Sequence, residues 1–273
     1  MQLPVSAFII CQNEEEYLGN CIESLADFSE IVIVDSGSTD GTAALVQSYI
    51  EKGWPIRFLR EPWRGYAGQK QFALEQCTQP WCFNIDSDER LDSALRGNLP
   101  ALLNAPEETV GWRVARRPYL IGFGYTPESV RERKNLRLIR RDKGAYDLTQ
   151  QVHEGIVAKG AVQDASTGSL LHYRPLRMDE QILKTNKYST LKADQKFSEG
   201  GKASVAKLVF SPIAYFIRIY IRNGLWRCGA PGFIEAMTDS VYAFLTQAKI
   251  YQRHALARRP NHDDIDRATT REG

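Results

Sequence analysis

Trp81-Cys82-Phe83-Asn84-Ile85-Asp86-Ser87-Asp88-Glu89 decides the fold. A short run of β-forming apolar residues that stops on two carboxylates one residue apart reads as a buried strand feeding a polar loop. Three similar runs precede it. Val5 to Cys11 is a strand, and Leu18, Cys21, Ile22 and Leu25 then recur at helical spacing. Ile31 to Val34 is a second buried-type strand, followed by Ser38-Thr39-Asp40-Gly41 as a helix cap and by Ala44, Leu45, Tyr49 and Ile50. Ile56 to Leu59 is a third strand, and a helix from about Ala67 to Gln76 leads into Trp81. Strands alternating with helices imply a parallel sheet covered by helices. Beyond a helix over Ser93 to Leu103 the pattern changes to strand-like stretches at Val110 to Arg116, Leu136 to Arg140 and Ser169 to Tyr173. These predict a mixed central sheet.

At 273 residues the chain has room for one large domain or one domain with an appendage. With 43% hydrophobic and 10% aromatic residues it can bury a sizeable core. Lys plus Arg number 35 against 33 Asp plus Glu, so no chain-wide charge marks a nucleic-acid partner, and none is expected. The five cysteines, Cys11, Cys21, Cys77, Cys82 and Cys228, are an odd number without a Cys-x-x-Cys pair, which suits a reducing compartment. Met1 to Val5 carries neither a basic region nor a long apolar run, so a cytoplasmic location is expected.

Residues 1–200 read as a catalytic domain, with a half at about 1–105 and a second at about 106–200; Ser198-Glu199-Gly200-Gly201 ends it. Residues 201–259 read as a basic, amphipathic helical appendage, and 260–273 as a disordered tail. Lys207, Arg218 and Arg222 interrupt the apolar run from Leu208 to Ile221 too soon for a membrane span. Between Lys207 and Arg259 the acidic residues are Glu235 and Asp239, against Lys207, Arg218, Arg222, Arg227, Lys249, Arg253, Arg258 and Arg259. Such a basic, aromatic, helical surface suits the anionic face of a membrane, with packing on a catalytic domain or a partner subunit as the other use.

In open α/β sheets ligands bind at the carboxyl ends of the strands. The polar clusters there are Gln12-Asn13-Glu14-Glu15, Asp35 to Gly41, and Asp86-Ser87-Asp88. Two carboxylates with one residue between them can hold both a divalent metal and a sugar hydroxyl. Hard oxygen donors favour Mg²⁺ or Mn²⁺, which takes its remaining ligands from water and phosphate. The implied ligand is a diphosphate. A Gly-x-Gly-x-x-Gly after the first strand, which a dinucleotide oxidoreductase requires, is missing, since Cys11-Gln12-Asn13-Glu14-Glu15 stands there. A nucleotidyltransferase would place a Gly-rich, basic phosphate loop at the same point.

Through Cys11-Gln12-Asn13-Glu14-Glu15, Ile33 to Thr42, Gly68-Gln69-Lys70-Gln71 and Asn84 to Glu89, the chain resembles the inverting family-2 glycosyltransferases of GT-A fold over roughly residues 4 to 175. The resemblance implies a nucleotide-sugar donor and a divalent metal, Mn²⁺ or Mg²⁺. By the family pattern Asp35 meets the nucleobase, Asn13 and Glu15 line the nucleotide pocket, and Lys70 reaches the base or phosphates. Asp86 contacts ribose or donor sugar, and Asp88 the metal. A solvated helix lysine is the other reading of Lys70, with Arg64 then supplying the phosphate charge. Asp35-Ser36 replaces the family's frequent Asp-Asp pair.

Inverting transfer needs one general base on the acceptor hydroxyl. Gln151-Val152-His153-Glu154-Gly155 stands where many relatives carry it, which suggests Glu154, with His153 as second candidate; His172 is a candidate to complete the metal shell. The Val-His-Glu segment and the basic, aromatic C-terminal stretch resemble the lipopolysaccharide core-biosynthesis branch of the family. That branch implies transfer of a hexose, glucose from UDP-glucose, to a lipid-linked saccharide on the cytoplasmic face of the membrane, and a homo-oligomer stays open. Arg113, Arg116, Arg117, Arg131, Arg133 and Lys134 are candidates for the acceptor's phosphates, or a solvated face. The alternatives are a protein or polyprenyl-linked glycan as acceptor, and a nucleotide- or carbohydrate-binding protein without turnover.

Overall fold

The computed structural model describes residues 2–131, 134–148 and 155–257. Contacts divide them into two compact units. The first runs to Tyr119 and includes Gly124–Glu128 and residues 134–175; the second comprises Leu120–Phe123, Ser129–Arg131 and the described residues from Leu176 on.

In the first unit β1 (Leu3–Cys11), α1 (Leu18–Ser24), β2 (Phe28–Asp35), α2 (Thr42–Glu51), β3 (Ile56–Arg60), α3 (Gly65–Glu75) and β4 (Trp81–Asn84) follow one another. β5 (Glu89–Leu91), α4 (Ser93–Leu103), β6 (Thr109–Leu120), β7 (Gly124–Tyr125), β8 (Lys134–Arg140) and β11 (Ala161–His172) complete the main sheet and its helices, and β9 (Gly144–Tyr146) pairs with β10 (Ile156–Ala158). The sheet order is β3-β2-β1-β4-β8-β6-β11-β5, with β7 on β6. β1 to β4 are parallel, β8 is antiparallel to both β4 and β6, and β11 runs parallel to β6 and antiparallel to β5. The mixed sheet predicted from the change of pattern after Leu103 is present.

Successive residues of the central strands feed opposite faces, as a pleat requires. Ala7, Ile9, Ile31, Ile33 and Phe83 join Leu18, Ile22, Val46, Leu95 and Leu99 in one core. Phe8, Val32, Val34 and Cys82 join Ala67, Leu74, Ile139 and Tyr146 in the other. Continuous apolar runs such as Ile31–Val34 are therefore buried on both sides. All five cysteines are buried. From β1 the chain winds outward to β2 and β3 and returns to place β4 on the other side of β1, so the crevice outside β1 and β4 is the switch point where such folds take ligands.

The second unit holds α5 (Met178–Ser198), α6 (Val205–Phe216), which continues into a wider π-helical turn at Ile217–Arg222, and α7 (Gly229–Ala257). Leu120, Val130, Leu225, Cys228 and Ala236 form its small core. A boundary near residue 200 falls between α5 and α6, whereas the division by contacts falls before α5. The reason is polar: Lys249 on α7 donates to Ser189 Oγ at 2.7 Å, Thr190 Oγ1 at 2.8 Å and Asn186 Oδ1 at 2.7 Å on α5. Arg253 Nε donates to Asp194 Oδ1 at 2.8 Å beside them. No side chain of α6 is buried. Among the described residues no helix is long and apolar enough to cross a membrane.

Candidate active site

The loop after β1 and the loop after β2 are tied together residue by residue. Asn13 has φ +57°, the single left-handed residue other than glycine among those described. Asparagine tolerates that conformation, and here it aims Oδ1 at the backbone N–H of Thr39, which donates at 2.8 Å. The Asn13 N–H donates to Ser38 Oγ at 2.9 Å, and Gly41 N–H to Glu15 Oε2 at 2.5 Å. Asn13 and Glu15 are themselves exposed, so both stand at the crevice while bracing its rim.

Asp35, at the carboxyl end of β2, is 1% exposed. Its carboxylate accepts from the N–H groups of Gly37 at 3.3 Å and Ser38 at 3.1 Å, and from the Ser38 hydroxyl. The structure thus gives Asp35 the task of folding its own loop, one its place in the sequence pattern did not disclose.

Asp86 is the centre of the charge arrangement. Lys70, on α3 and 8% exposed, puts Nζ 3.0 Å from Asp86 Oδ1. It is no solvated helix lysine. Antiparallel pairing of β8 with β4 matches Phe83 with Leu138 and so brings Arg137 beside Asn84. Arg137 donates to Asn84 Oδ1 at 3.1 Å, to Asp86 Oδ2 at 3.3 Å and to Glu89 Oε1 at 2.8 Å. Arg116 adds a second guanidinium 2.9 Å from Glu89 Oε1. Burial works to raise the Asp86 carboxyl, but Lys70 and Arg137 hold it well below the ordinary carboxylate range. The Asp86 side chain still keeps 34% of its surface open, enough for one edge to meet a ligand.

Asp88 is held from the other side. β11 pairs His172 with Glu89 of β5, which sets the imidazole Nε2 3.2 Å from Asp88 Oδ2. Arg174 Nε lies 2.8 Å from the same oxygen, and its Nη2 meets Glu14. Burial pushes Asp88 up, and His172 and Arg174 outweigh it to leave the carboxyl lowered. Asp88 and His172 supply one hard oxygen and one imidazole nitrogen close together. That suits a Mg²⁺ or Mn²⁺ taking its other ligands from phosphate and water. Among the described residues no three His, Cys, Asp or Glu side chains come together as a complete metal centre.

His153, Glu154 and Arg133 lie outside the described residues, as does the tail from 260. Arg64 is engaged by Glu61, with Nε donating at 2.7 Å, and lies over the Phe72 ring. Of the basic run, Arg116 is taken by Glu89, Arg113 lies 3.6 Å from Asp164, and Lys134 donates to the Ala165 carbonyl at 2.8 Å. Arg117 donates to the Thr126 carbonyl at 2.5 Å. The run is thus mostly structural. Arg137 and Arg174 were missed, although a charged residue between Leu136 and Leu138 inside a strand pattern is itself a signal.

Residues 6–149 match the family described as Glycosyl transferase family 2. The chain is 76% identical to the lipopolysaccharide core biosynthesis glycosyltransferase LpsC of Rhizobium meliloti, over 96% of this chain and 97% of that one. It is 28% identical to an uncharacterized glycosyltransferase of Rickettsia felis, over 94% and 92% of the two chains. Among solved structures it is similar to the mannosyltransferase PcManGT from Pyrobaculum calidifontis in complex with GDP-Man and Mn²⁺. There the TM-score is 0.51 and the identity 18%, covering all of this chain and 80% of that one. The fold is GT-A-like.

Proposed function

The chain belongs to glycosyl transferase family 2 and is a glycosyltransferase, and from that premise we propose that it moves a hexose, glucose from UDP-glucose, onto a lipid-linked saccharide of the lipopolysaccharide inner core. The observation that carries the reading is the pair Asp86 and Asp88 at the carboxyl end of β4. Lys70 and Arg137 hold the first in its ionised form, and His172 and Arg174 the second, at the switch point of the sheet. A solvated turn has no need of Lys70, Arg137, His172 and Arg174 converging on it. The high identity to a lipopolysaccharide core enzyme supports the acceptor class.

In this reading Asn13, Glu15 and Asp35 shape the nucleotide side of the crevice, and Lys70 and Asp86 face the phosphates and the ribose or donor sugar. Asp88 and His172 would hold a divalent metal, which when bound supplies Lewis-acid stabilisation to the departing diphosphate. Glu154 takes the acceptor proton as the hydroxyl oxygen bonds to the anomeric carbon and the bond to the diphosphate breaks on the opposite face; His153 is the second candidate. Residues 1–105 then serve the donor and about 106–200 the acceptor.

The acceptor's lipid places the enzyme against the cytoplasmic membrane face. Support comes from α6 and the π-helical turn after it, where Val205, Val209, Phe210, Ile213, Ile217 and Ile221 are all exposed, with Lys207, Arg218 and Arg222 among them.

The test is calorimetric titration of UDP and UDP-glucose with Mn²⁺, Mg²⁺ or EDTA, beside Asp88→Asn. Metal-dependent binding that the variant loses is the expected result. Absence of nucleotide binding under every condition would remove the donor assignment.

A further inference from the structure

Four tyrosines stand apart from both cores of the first unit. Tyr17 precedes α1, Tyr119 ends β6, Tyr125 lies on β7 and Tyr173 follows β11. Their rings form a continuous wall: Tyr119 to Tyr173 at 4.8 Å and 70°, Tyr119 to Tyr125 at 5.4 Å and 79°, Tyr17 to Tyr173 at 6.4 Å and 60°. With Asp88 and Arg90 they line a cavity of about 280 Å³. Drug-sized ligand sites run from about 300 to 1,000 Å³, so this one is sized for a single ring.

Its chemistry is specific. Tyrosine faces match the apolar C–H face of a pyranose, and the phenol hydroxyls match its rim of hydroxyl groups. The Tyr125 hydroxyl is shut off from water, with the Arg90 guanidinium beside it. Charge selects further. Asp88 is already engaged by His172 and Arg174, and Glu89 by Arg137 and Arg116. Arg90, whose guanidinium sits 5.5 Å from the centre of the Tyr125 ring, has no carboxylate within ion-pairing distance among the described residues. Among the described residues the pocket therefore offers a cation that no carboxylate holds, set against an aromatic wall.

We infer that this cavity is the acceptor subsite and takes one pyranose ring bearing an acidic substituent, a carboxylate or a phosphate, with Arg90 as its specificity determinant. The inference rests on the glycosyltransferase reading of the site: Asp88 borders the cavity, so a ring seated there meets the donor sugar. Arg90 pairs with the acid, while Tyr119 and Tyr173 carry the ring.

The experiment titrates the full chain with three probes, a neutral methyl hexopyranoside, a methyl hexopyranosiduronate and a hexose phosphate, and with UDP in parallel. A charge-assisted contact is worth about 1.5–3 kcal/mol, so at least one anionic probe is expected to bind about 10- to 100-fold more tightly than the neutral one. The two anionic arms tell carboxylate from phosphate. Arg90→Gln should erase that preference and leave UDP affinity within about twofold, and Tyr119→Ala should weaken all three sugars alike. Equal binding of neutral and anionic probes, a preference that survives Arg90→Gln, or no sugar binding while UDP binds, would each overturn the subsite. Loss of UDP binding in the wild-type chain would instead count against the donor reading.

Discussion

Arg137 Nη2 lies 2.8 Å from Glu89 Oε1, and that contact joins two groups that have almost no water around them. Glu89 is 1% exposed and Arg137 6%, on β5 and β8, which are not neighbours in the sheet. Burial pushes the Glu89 carboxyl up, and the guanidiniums of Arg137 and Arg116 oppose it. The same arginine reaches forward to Asp86, so the floor of the candidate site and its ligand-facing carboxylate share one cation.

Arg137→Met should therefore be severe. It leaves Glu89 buried with one cation fewer, and breaking a buried pair from one side costs about 3–5 kcal/mol. A urea midpoint lowered accordingly is the expected result. Arg137→Lys should rescue little, because a single ammonium cannot serve Asn84, Asp86 and Glu89 at once.

Glu30 gives a pH test. It is 5% exposed and accepts from the Ser6 hydroxyl, from Thr78 N–H at 2.8 Å and from Arg57 Nη1 at 3.0 Å. Burial alone raises its pKa; the four donors, Thr78 Oγ1 included, turn the shift downward. A carboxyl lowered in the folded state stabilises above its unfolded value of about 4.5 and loses that contribution as pH falls through the folded one. Glu30→Gln should be less stable at pH 7 by about 1–3 kcal/mol and show a shallower loss of stability below pH 4.5 than the wild-type chain.

How far the sequence reached is set by the range of the interactions. Strands β1 to β4 and their helices were legible because each is a local hydrophobic pattern with its own punctuation. So was the Asp-x-Asp turn. What was hidden depends on register. Whether Arg137 faces Asp86 follows from which residue of β8 pairs with Phe83, and whether His172 meets Asp88 from the pairing of β11 with β5. Neither pairing has a local signature. Lys70 was ambiguous for the same reason: α3, which buries Gln69 and Lys70 beside Ala73 and Leu74, has no local pattern that says which strand end lies beneath it. The tyrosine wall gathers residues from four separate elements and left no pattern at all.

Gly168 is where β11 breaks register with β6, between Asp164 and Ser169. Its φ is +85°, and a Cβ there would lie 2.2 Å from the backbone nitrogen of Leu95. That nitrogen donates to Asp92 Oδ1 at 2.7 Å as the cap of α4, and Ser169 N–H donates to Asp92 Oδ2 at 3.0 Å. Gly168→Ala strains the backbone and displaces a capped helix together, so it should cost at least about 2 kcal/mol. Thermal unfolding measures it, with Gly97→Ala, where the added atom meets nothing, as the tolerated control.

Asp239 on α7 has the opposite sign to Glu30. Burial first, and then Glu235, raise its pKa to about 7 from 3.8, with Arg218 only partly compensating. The folded state then holds a proton that the unfolded chain releases near 3.8. Stability linked to this group is greatest below that value and is lost as pH rises through about 7. Asp239→Asn should be more stable than the wild-type chain at pH 8 by about 1–2 kcal/mol, a value below full linkage because solvent screens part of the field. The difference should narrow toward pH 5 and close only near 3.8, where the unfolded chain takes up the proton as well. A melting-temperature profile of both proteins from pH 5 to 8 checks it, and parallel curves would show that Asp239 ionises freely.

The last prediction concerns α6, a helix that sends Phe216 to the small core but leaves Val205, Val209, Phe210 and Ile213 exposed. Phe210 is 66% and Ile213 50% exposed, and Lys207, Arg218 and Arg222 are the only charges from Val205 to Arg222. Burying a large apolar side chain in the interfacial region of a bilayer contributes about 1.5–3 kcal/mol, and each basic residue near an anionic surface about 1 kcal/mol more. Phe210→Glu with Ile213→Glu should therefore lower sedimentation with phosphatidylglycerol vesicles by about a hundredfold in partition coefficient. Lys207→Gln with Arg222→Gln should lower it by about tenfold or more, in a way that added salt mimics. Because no α6 side chain is buried, folding should be unaffected, and circular dichroism of both variants should match the parent. Undiminished sedimentation of the double glutamate variant would move membrane contact, if there is any, to another face of the chain.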